Sequence, residues 1–190
     1  MPIGVDMRLI RHSIRFTIAA CVLLVMAGPA SAGTAPEGLE RGSARQPANH
    51  PSQSAGWDLG NLRIPTIGLE ETVRAGVDSA VLDRGVGHWA GTSLSGREGN
   101  VVLGGHRTTW SRPFEDLDKL LVGDIVYMTD SWGVEFMYKV AETIIVEPSD
   151  MWITYDRENP TLTMFACHPK GSVEFRIVVV ADLISAQPLQ

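Results

Sequence analysis

Cysteine is scarce in this chain of 190 residues, which contains only Cys21 and Cys167. Cys21 lies in an apolar N-terminal segment, so Cys167 is the only thiol in the rest of the chain. The N-terminal segment indicates export, and an exported domain with one thiol cannot form a disulfide within itself. Cys167 is therefore reactive, paired with another chain, or buried and inert. We favour a reactive thiol.

Positively charged residues are fewer than negatively charged ones. The chain has 16 Lys and Arg against 22 Asp and Glu, a net charge of −6. Without residues 1–32, which hold three arginines and one aspartate, the balance is 13 to 21, a net charge of −8. Nucleic-acid binding depends on clustered Lys and Arg, so this balance argues against nucleic acid as a partner.

Two further kinds of site lack their characteristic patterns. The glycine-rich stretch 85–92 does not end in the Lys-Ser/Thr pair of a phosphate-binding loop. Glu115, Asp116 and Asp118 form an acidic cluster without the regular ligand spacing of a calcium loop. This cluster is typical of a solvated helix face.

The N-terminal third divides into two segments before the domain. Residues 1–32 contain three arginines, a short apolar core at 16–27 and an Ala-Ser-Ala site at 30–32, the pattern of a signal peptide. The apolar core is short of the roughly 20 residues that span a bilayer, so the pattern fits cleaved secretion or a retained anchor. Residues 33–57 are rich in Gly, Ala, Ser, Pro and Gln and predict a flexible linker. The folded domain is then 58–190.

Short β-rich runs separated by turn signals dominate this domain. The predicted strands are 61–64, 69–74, 100–106, 124–130, 134–146, 161–166 and 173–180. Asp78 is placed to cap a brief helical turn at 78–82, and 114–121 has helical spacing after Pro113. Stretch 85–92 is predicted to be a loop. Many short strands with few helices indicate a mainly β sandwich or barrel.

A nucleophilic Cys167 needs a nearby base, because a free thiol is only a few per cent ionised at pH 7. Histidine is the usual base. His50 lies in the linker, and His168 should point away from Cys167 because adjacent residues of a strand face opposite sides. His106 follows two glycines at the end of a strand, where close approach by another group is common. It is the better partner, and a structural, hydrogen-bonded histidine is the alternative.

Arg176 has a predicted place in the hairpin that contains the thiol. A loop over roughly 168–175 would set three cross-strand pairs, which are Cys167 with Arg176, Phe165 with Val178, and Thr163 with Val180. Directly opposed residues share a face of the sheet. The guanidinium could then stabilise a thiolate or bind an oxyanion, and the alternative is a solvated charge at the rim.

These residues and their surrounding motifs resemble the sortases, the cysteine transpeptidases of Gram-positive cell surfaces. His106 lies in GGHRTTW, Cys167 lies in TMFACHP, and Arg176 follows nine residues later. The resemblance covers roughly 59–183 and includes IPTIGLEETV, GVGHWAGT and RPFEDLDKLLVGDIVYMT. The GHRTT and CHP segments are most similar to class E sortases.

The resemblance implies a closed eight-stranded sortase-type β-barrel with short helices and a catalytic set of His106, Cys167 and Arg176. Cys167 would cleave the Thr–Gly bond of a C-terminal sorting signal such as Leu-Pro-x-Thr-Gly or Leu-Ala-x-Thr-Gly. A lipid-linked peptidoglycan precursor amine would then resolve the thioacyl enzyme. No cofactor or metal is implied. Family members commonly keep the N-terminal segment, which favours a membrane anchor with the domain outside the cell over secretion after cleavage.

The same resemblance suggests three substrate-binding positions. They are His88 in the GxGHxxGT loop, Trp110 where class E members usually have Tyr, and Ala166 where the family usually has Thr. The rival functions are a thiol peptidase that uses water as the acceptor and a β-domain that only binds peptides. A zinc site of Cys167, His106 and His88 is a more distant alternative.

Overall fold

A computed structural model describes residues 56–189, which form a closed barrel of eight strands. The strands are β1 (Asp58–Ile64), β2 (Leu69–Ala75), β3 (Val86–His88), β4 (Asn100–Gly104), β5 (Ile125–Asp130), β6 (Val134–Val146), β7 (Thr161–His168) and β8 (Phe175–Pro188). Around the barrel their order is β1-β2-β3-β4-β7-β8-β6-β5. The prediction of a mainly β, eight-stranded closed barrel is confirmed.

The predicted signal or anchor segment, residues 1–32, lies outside the described residues, as does the linker up to residue 55. Within residues 56–189, no helix has both the length and the apolar character that crossing a bilayer requires. The helices there are short: α1 (Ser79–Leu82) and three 3-10 turns, Pro65–Ile67, Leu117–Lys119 and Met151–Thr154.

Strand β7 shows how the sequence divides the barrel into two faces. Leu162, Met164 and Ala166 are almost fully buried in the main core inside the barrel. Phe165 packs instead against a second apolar cluster, formed by Val146, Ile153, Val178 and Val180. Because neighbouring residues of a strand alternate between faces, Cys167 lies on the same outer face as Phe165.

A buried asparagine fixes the connection between β6 and β7 over this outer face. The Asn100 side-chain amide donates to the carbonyl oxygens of Ile153 at 2.9 Å and Tyr155 at 3.2 Å. Its oxygen accepts a hydrogen bond from Thr163 Oγ1 at 2.8 Å. Buried polar groups cost free energy unless they are paired, so these three bonds favour one position of the connection.

The hairpin of β7 and β8 has the predicted register. Cys167 pairs with Arg176, and the same ladder pairs Phe165 with Val178 and Thr163 with Val180. β8 continues well beyond the predicted end at residue 180, because it also pairs with β6 as far as Val134 opposite Pro188. The prediction for the turn at 78–82 is confirmed too, since Asp78 Oδ1 accepts from the Val81 amide at 3.2 Å.

Two predicted elements are wrong. Stretch 85–92 is not only a loop, because β3 within it pairs with β2 in parallel and with β4 antiparallel. Gly87 permits this, since a Cβ there would collide with the Gly76 carbonyl oxygen. The helix predicted at 114–121 is replaced by a 3-10 turn, Leu117–Lys119. Its buried residues Phe114, Leu117 and Leu120 recur every three positions, which matches the three residues per turn of a 3-10 helix.

Candidate active site

Cys167 stands near the end of β7, partly exposed on the outer face and free of any disulfide. Arg176 lies directly opposite on β8. Opposed residues of an antiparallel pair have Cβ atoms about 4.5–5.5 Å apart. The thiol and the guanidinium therefore belong to one surface, as the hairpin register predicts.

His106 follows β4, the strand that pairs with β7 on the side opposite to β8. β4 and β7 run in parallel with Gly104 opposite Phe165, and the Gly105 amide donates to the Phe165 carbonyl at 3.2 Å. His106 lies two residues beyond Gly104, just as Cys167 lies two residues beyond Phe165. Adjacent strands are about 4.7–4.9 Å apart, so the end of β4 that leads into His106 lies beside the end of β7 that carries Cys167.

Two contacts fix the orientation of His106. Its carbonyl oxygen accepts a hydrogen bond from the Phe114 amide at 3.1 Å. Its Nε2 lies 2.9 Å from Asp83 Oδ1. A carboxylate only accepts hydrogen bonds, so Nε2 carries the proton and Nδ1 is left with a lone pair. The neutral ring can therefore accept a proton at Nδ1.

Asp83 is a residue that the sequence analysis missed. It follows α1 directly and lies 23 residues before His106 in the chain. No motif marks it, and only the packing of α1 beside β3 brings it to the histidine. An acidic residue in the turn before the glycine-rich stretch is the sole signal that the sequence contains.

Arg176 is held by its own loop. Its Nη1 donates to the carbonyl oxygens of Val173 at 2.9 Å and Phe175 at 2.8 Å. Within residues 56–189 it forms no salt bridge with a carboxylate. A guanidinium has five N–H donors, so Nε and Nη2 keep three donors for a ligand on the outer face.

His168, the neighbour of Cys167, has a different environment. Its Nδ1 lies 2.7 Å from Nη1 of Arg107, whose side chain is only 2% exposed. Arg107 Nη2 in turn lies 2.8 Å from Asp118 Oδ2. His168 is therefore engaged by Arg107, on the side of the strand away from the thiol, as strand alternation predicts.

Two aromatic rings pack together on the outer face, two residues along β7 from the thiol. The rings of Trp89 and Phe165 pack with their centroids 5.7 Å apart at an interplanar angle of 58°. Gly104 makes room for the phenyl ring, because a Cβ at this glycine would lie 2.9 Å from Phe165 Cζ. Trp89 is thus a second residue that the sequence analysis did not single out as part of the site. Its proximity depends on β3, which was not predicted.

The structure does not bring His88 and Ala166 to the outer face. His88 pairs with the core residue Leu103 and is 4% exposed, with Nε2 at 2.8 Å from the Ser93 carbonyl. Burial lowers the pKa of His88, which favours a neutral ring. Ala166 is 2% exposed and packs in the barrel interior. The alternation of strand residues explains both positions.

Trp110 occupies the loop after His106. It is 72% exposed and has a positive φ of 54°. This loop returns to the barrel at Phe114, whose amide binds the His106 carbonyl. Trp110 is therefore available to a ligand that approaches from solvent at the same end of the barrel as the thiol.

The residues from 56 to 189 include no group of three or more His, Cys, Asp or Glu side chains that could hold a metal ion. His88 lies on the other face from Cys167, which separates the three residues of the zinc alternative. In the acidic cluster, Asp116 contacts Lys119 at 2.8 Å and Lys170 at 3.0 Å. Hydrogen bonds from these lysines lower the pKa of Asp116.

Comparison with known proteins identifies the barrel. The family model for the sortase domain matches residues 62–184. Sortase D of Bacillus subtilis is 36% identical over 115 residues, which make up 60% of this chain and 56% of that protein. Sortase SrtE1 of Streptomyces coelicolor is 28% identical, with 67% of this chain and 40% of that protein covered. The chain thus spans about half the length of these curated relatives.

Solved structures agree with the sequence relatives. Sortase E from Streptomyces avermitilis superposes with a TM-score of 0.62 at 33% identity, over 69% of this chain and 90% of that one. The sortase D5 transpeptidase of Clostridium perfringens gives 0.61 at 30% identity, over 67% and 79%. Relatives of classes D and E both occur in these comparisons. The chain belongs to the sortase family.

Proposed function

We propose that this protein is a sortase transpeptidase that cleaves the Thr–Gly bond of a C-terminal sorting signal and transfers the surface protein to a cell-wall amine. The observation that carries the proposal is the strand register of a sortase barrel. Cys167 is opposite Arg176 on β8, and β4, which leads into His106, pairs with β7 up to two residues before Cys167.

In the first step the Cys167 sulfur attacks the threonine carbonyl carbon, and its proton passes to Nδ1 of His106. The free donors of Arg176, Nε and Nη2, stabilise the oxyanion of the tetrahedral intermediate. The C–N bond to glycine then breaks, and His106 returns the proton to the leaving amine. The products are a thioester on Cys167 and a free glycine amine, so the proton count is balanced.

In the second step an amine of a lipid-linked peptidoglycan precursor attacks the thioester carbonyl. His106 accepts a proton from the incoming nitrogen, and Arg176 again stabilises the oxyanion. Collapse of the intermediate breaks the C–S bond, and His106 gives its proton to the departing sulfur, which restores the Cys167 thiol. Asp83 supports both steps, because it holds Nε2 of His106 and stabilises the imidazolium that forms each time.

The aromatic pair Trp89 and Phe165 supports a substrate of the Leu-Pro-x-Thr-Gly or Leu-Ala-x-Thr-Gly type. The Trp89 and Phe165 rings offer apolar surface two residues along β7 from the thiol. This is a suitable environment for the leucine or for the proline or alanine of the motif. The exposed Trp110 flanks the same end and is the candidate for contact with the second motif position.

The proposed location rests on the N-terminal sequence together with the family, whose members commonly keep this segment. Residues 1–32 would anchor the protein in the cell membrane with the domain outside, and residues 33–57 would tether it. Secretion after cleavage in this segment is the alternative. An anchored enzyme would meet both its membrane-bound surface-protein substrates and a lipid-linked amine. Mass spectrometry of the native N-terminus distinguishes the two forms.

A peptide assay tests the proposed reaction. A fluorogenic Leu-Ala-x-Thr-Gly peptide is incubated with the protein, with and without a glycine-based amine, and the products are identified by mass spectrometry. We expect an amide between the threonine and the amine, together with loss of turnover in Cys167→Ala and His106→Ala. Hydrolysis alone, at a rate that the amine never changes, would instead establish a thiol peptidase. Full activity of Cys167→Ala would refute both reactions.

A further inference from the structure

We propose that Arg107 and His168 are positioning residues that set the distance between the catalytic histidine and the catalytic cysteine. The inference rests on the proposed function. Arg107 is the residue after His106, and His168 is the residue after Cys167. Their side chains meet at 2.7 Å between Nη1 and Nδ1. One hydrogen bond thus joins the two strand ends that present the reacting groups.

The backbone does not set this distance by itself. The last paired residues of β4 and β7 are Gly104 and Phe165, and the Gly105 amide makes the final contact to the Phe165 carbonyl. In the part of the chain that the structure describes, no backbone hydrogen bond joins 106–113 to 166–168. Beyond the ladder, the Arg107–His168 bond is therefore the direct polar link between the two segments.

Arg107 is well suited to a fixed link. Its side chain is 2% exposed, and besides the bond from Nη1 to His168 it has two contacts, Nη2 to Asp118 Oδ2 at 2.8 Å and Nε to the Glu115 carbonyl at 3.4 Å. A buried guanidinium is stable only where its donors are paired. Its planar fork then holds the partners in one arrangement.

The hydrogen bond from Arg107 also determines which ring nitrogen of His168 carries the proton. Arginine only donates hydrogen bonds, so Nδ1 of His168 accepts and its neutral ring carries the proton on Nε2. Asparagine can offer an acceptor oxygen near the position of Nδ1, whereas leucine has a similar size and no acceptor. These two substitutions at His168 separate the hydrogen bond from the bulk of the side chain.

A matched control lies just beyond these two segments. Lys170 follows β7 and contacts Asp116 at 3.0 Å in the loop that contains Arg107. This second link is on the surface, with the Lys170 side chain 40% exposed. Lys170→Met removes a contact between the chain that follows β7 and the chain that follows Arg107, and it leaves Arg107 and His168 unchanged.

The experiment compares the full-length wild type with His168→Leu, His168→Asn, Arg107→Met and Lys170→Met in the peptide-plus-amine assay. A misplacement of about 1 Å can cost on the order of 10²-fold in rate. We expect His168→Leu to lower kcat by up to that factor with little change in KM, and His168→Asn to restore most of it. Lys170→Met should match the wild type. If His168→Leu keeps the wild-type kcat, or His168→Asn is as impaired as His168→Leu, the positioning role is wrong.

Two readouts keep the inference testable if Arg107→Met does not fold or if the wild type transfers no acyl group. Alkylation of Cys167 by iodoacetamide needs no substrate, and we expect it to be slower in His168→Leu and restored in His168→Asn. Equal alkylation rates in all variants would overturn the inference. An inactive wild type with the expected alkylation pattern would refute the proposed function while leaving the positioning role intact.

Nitrogen NMR of His168 should show the proton on Nε2, and a proton on Nδ1 would contradict the hydrogen bond from Arg107 to His168.

Discussion

Replacement of Arg176 by alanine separates a catalytic role from a structural one. In the proposed reaction Nε and Nη2 of this residue stabilise the oxyanion. Loss of one oxyanion donor typically costs about 10²–10³-fold in kcat, or roughly 2.7–4 kcal/mol in activation free energy. We therefore expect kcat/KM of Arg176→Ala for a sorting-signal peptide to fall by about that factor.

The structural cost of the same change should be smaller. Arg176 makes two hydrogen bonds to its own loop, to the carbonyls of Val173 and Phe175. Each such bond contributes about 0.5–1.5 kcal/mol to the free energy of unfolding, and less where it is exposed. A domain of ordinary stability, about 5–15 kcal/mol, would remain folded after their loss. Urea unfolding of the variant checks this.

Two companion variants make the test decisive. Arg176→Lys keeps the positive charge but loses the planar fork of donors, so its activity should lie between those of wild type and alanine. Arg63→Ala removes an arginine from β1 that contacts Glu135 at 3.1 Å and lies 3.9 Å over the Tyr127 ring. It should lose some stability and no activity. If Arg176→Ala retains kcat/KM within about tenfold of wild type, the oxyanion role is refuted.

Three more predictions concern the support of the site. Asp83→Asn should lower kcat by up to about 10²-fold in the peptide assay without unfolding the domain, because His106 loses the carboxylate that stabilises its imidazolium. Phe114→Ala should lower the free energy of unfolding by about 3–5 kcal/mol in urea, since the ring is fully buried in the main core. Burial lowers the pKa of His88, so the unfolded chain binds more protons there, and stability should fall as pH drops below about 6.5. In His88→Gln, pH-dependent urea unfolding should lose that contribution, which is at most about 1.4 kcal/mol per pH unit.

The hairpin around the thiol could be predicted from the sequence because its information is local. A strand of alternating residues, a loop of predictable length and a second apolar strand determine which residues oppose one another. That reasoning paired Cys167 with Arg176 correctly. It also separated His168 from Cys167 by strand alternation alone, with no knowledge of the arginine that engages its ring.

The features that the sequence did not predict depend on contacts between segments that are far apart in the chain. β3 has only three residues, and its pairing is set by its neighbours β2 and β4 more than by its own glycine-rich sequence. Asp83 and Trp89 reach the site only because β3 and the adjacent α1 are docked there. The 114–121 prediction failed for a related reason. Three buried side chains at a spacing of three fit an α-helix pattern locally, while packing into the barrel end selects the tighter 3-10 turn.

The arrangement around Cys167 shows why one strand can carry both chemistry and support. The thiol is on the outer face of the barrel, and its two neighbours face the other way, Ala166 into the main core and His168 towards the buried Arg107. A change in the orientation of this end of β7 would therefore disrupt both the apolar packing of Ala166 and the hydrogen bond between His168 and the buried Arg107. His106 is constrained in the same manner, by Asp83 through its side chain and by Phe114 through its carbonyl. The outer face can stay open to a peptide because the rigidity of the reacting groups comes from the face behind it.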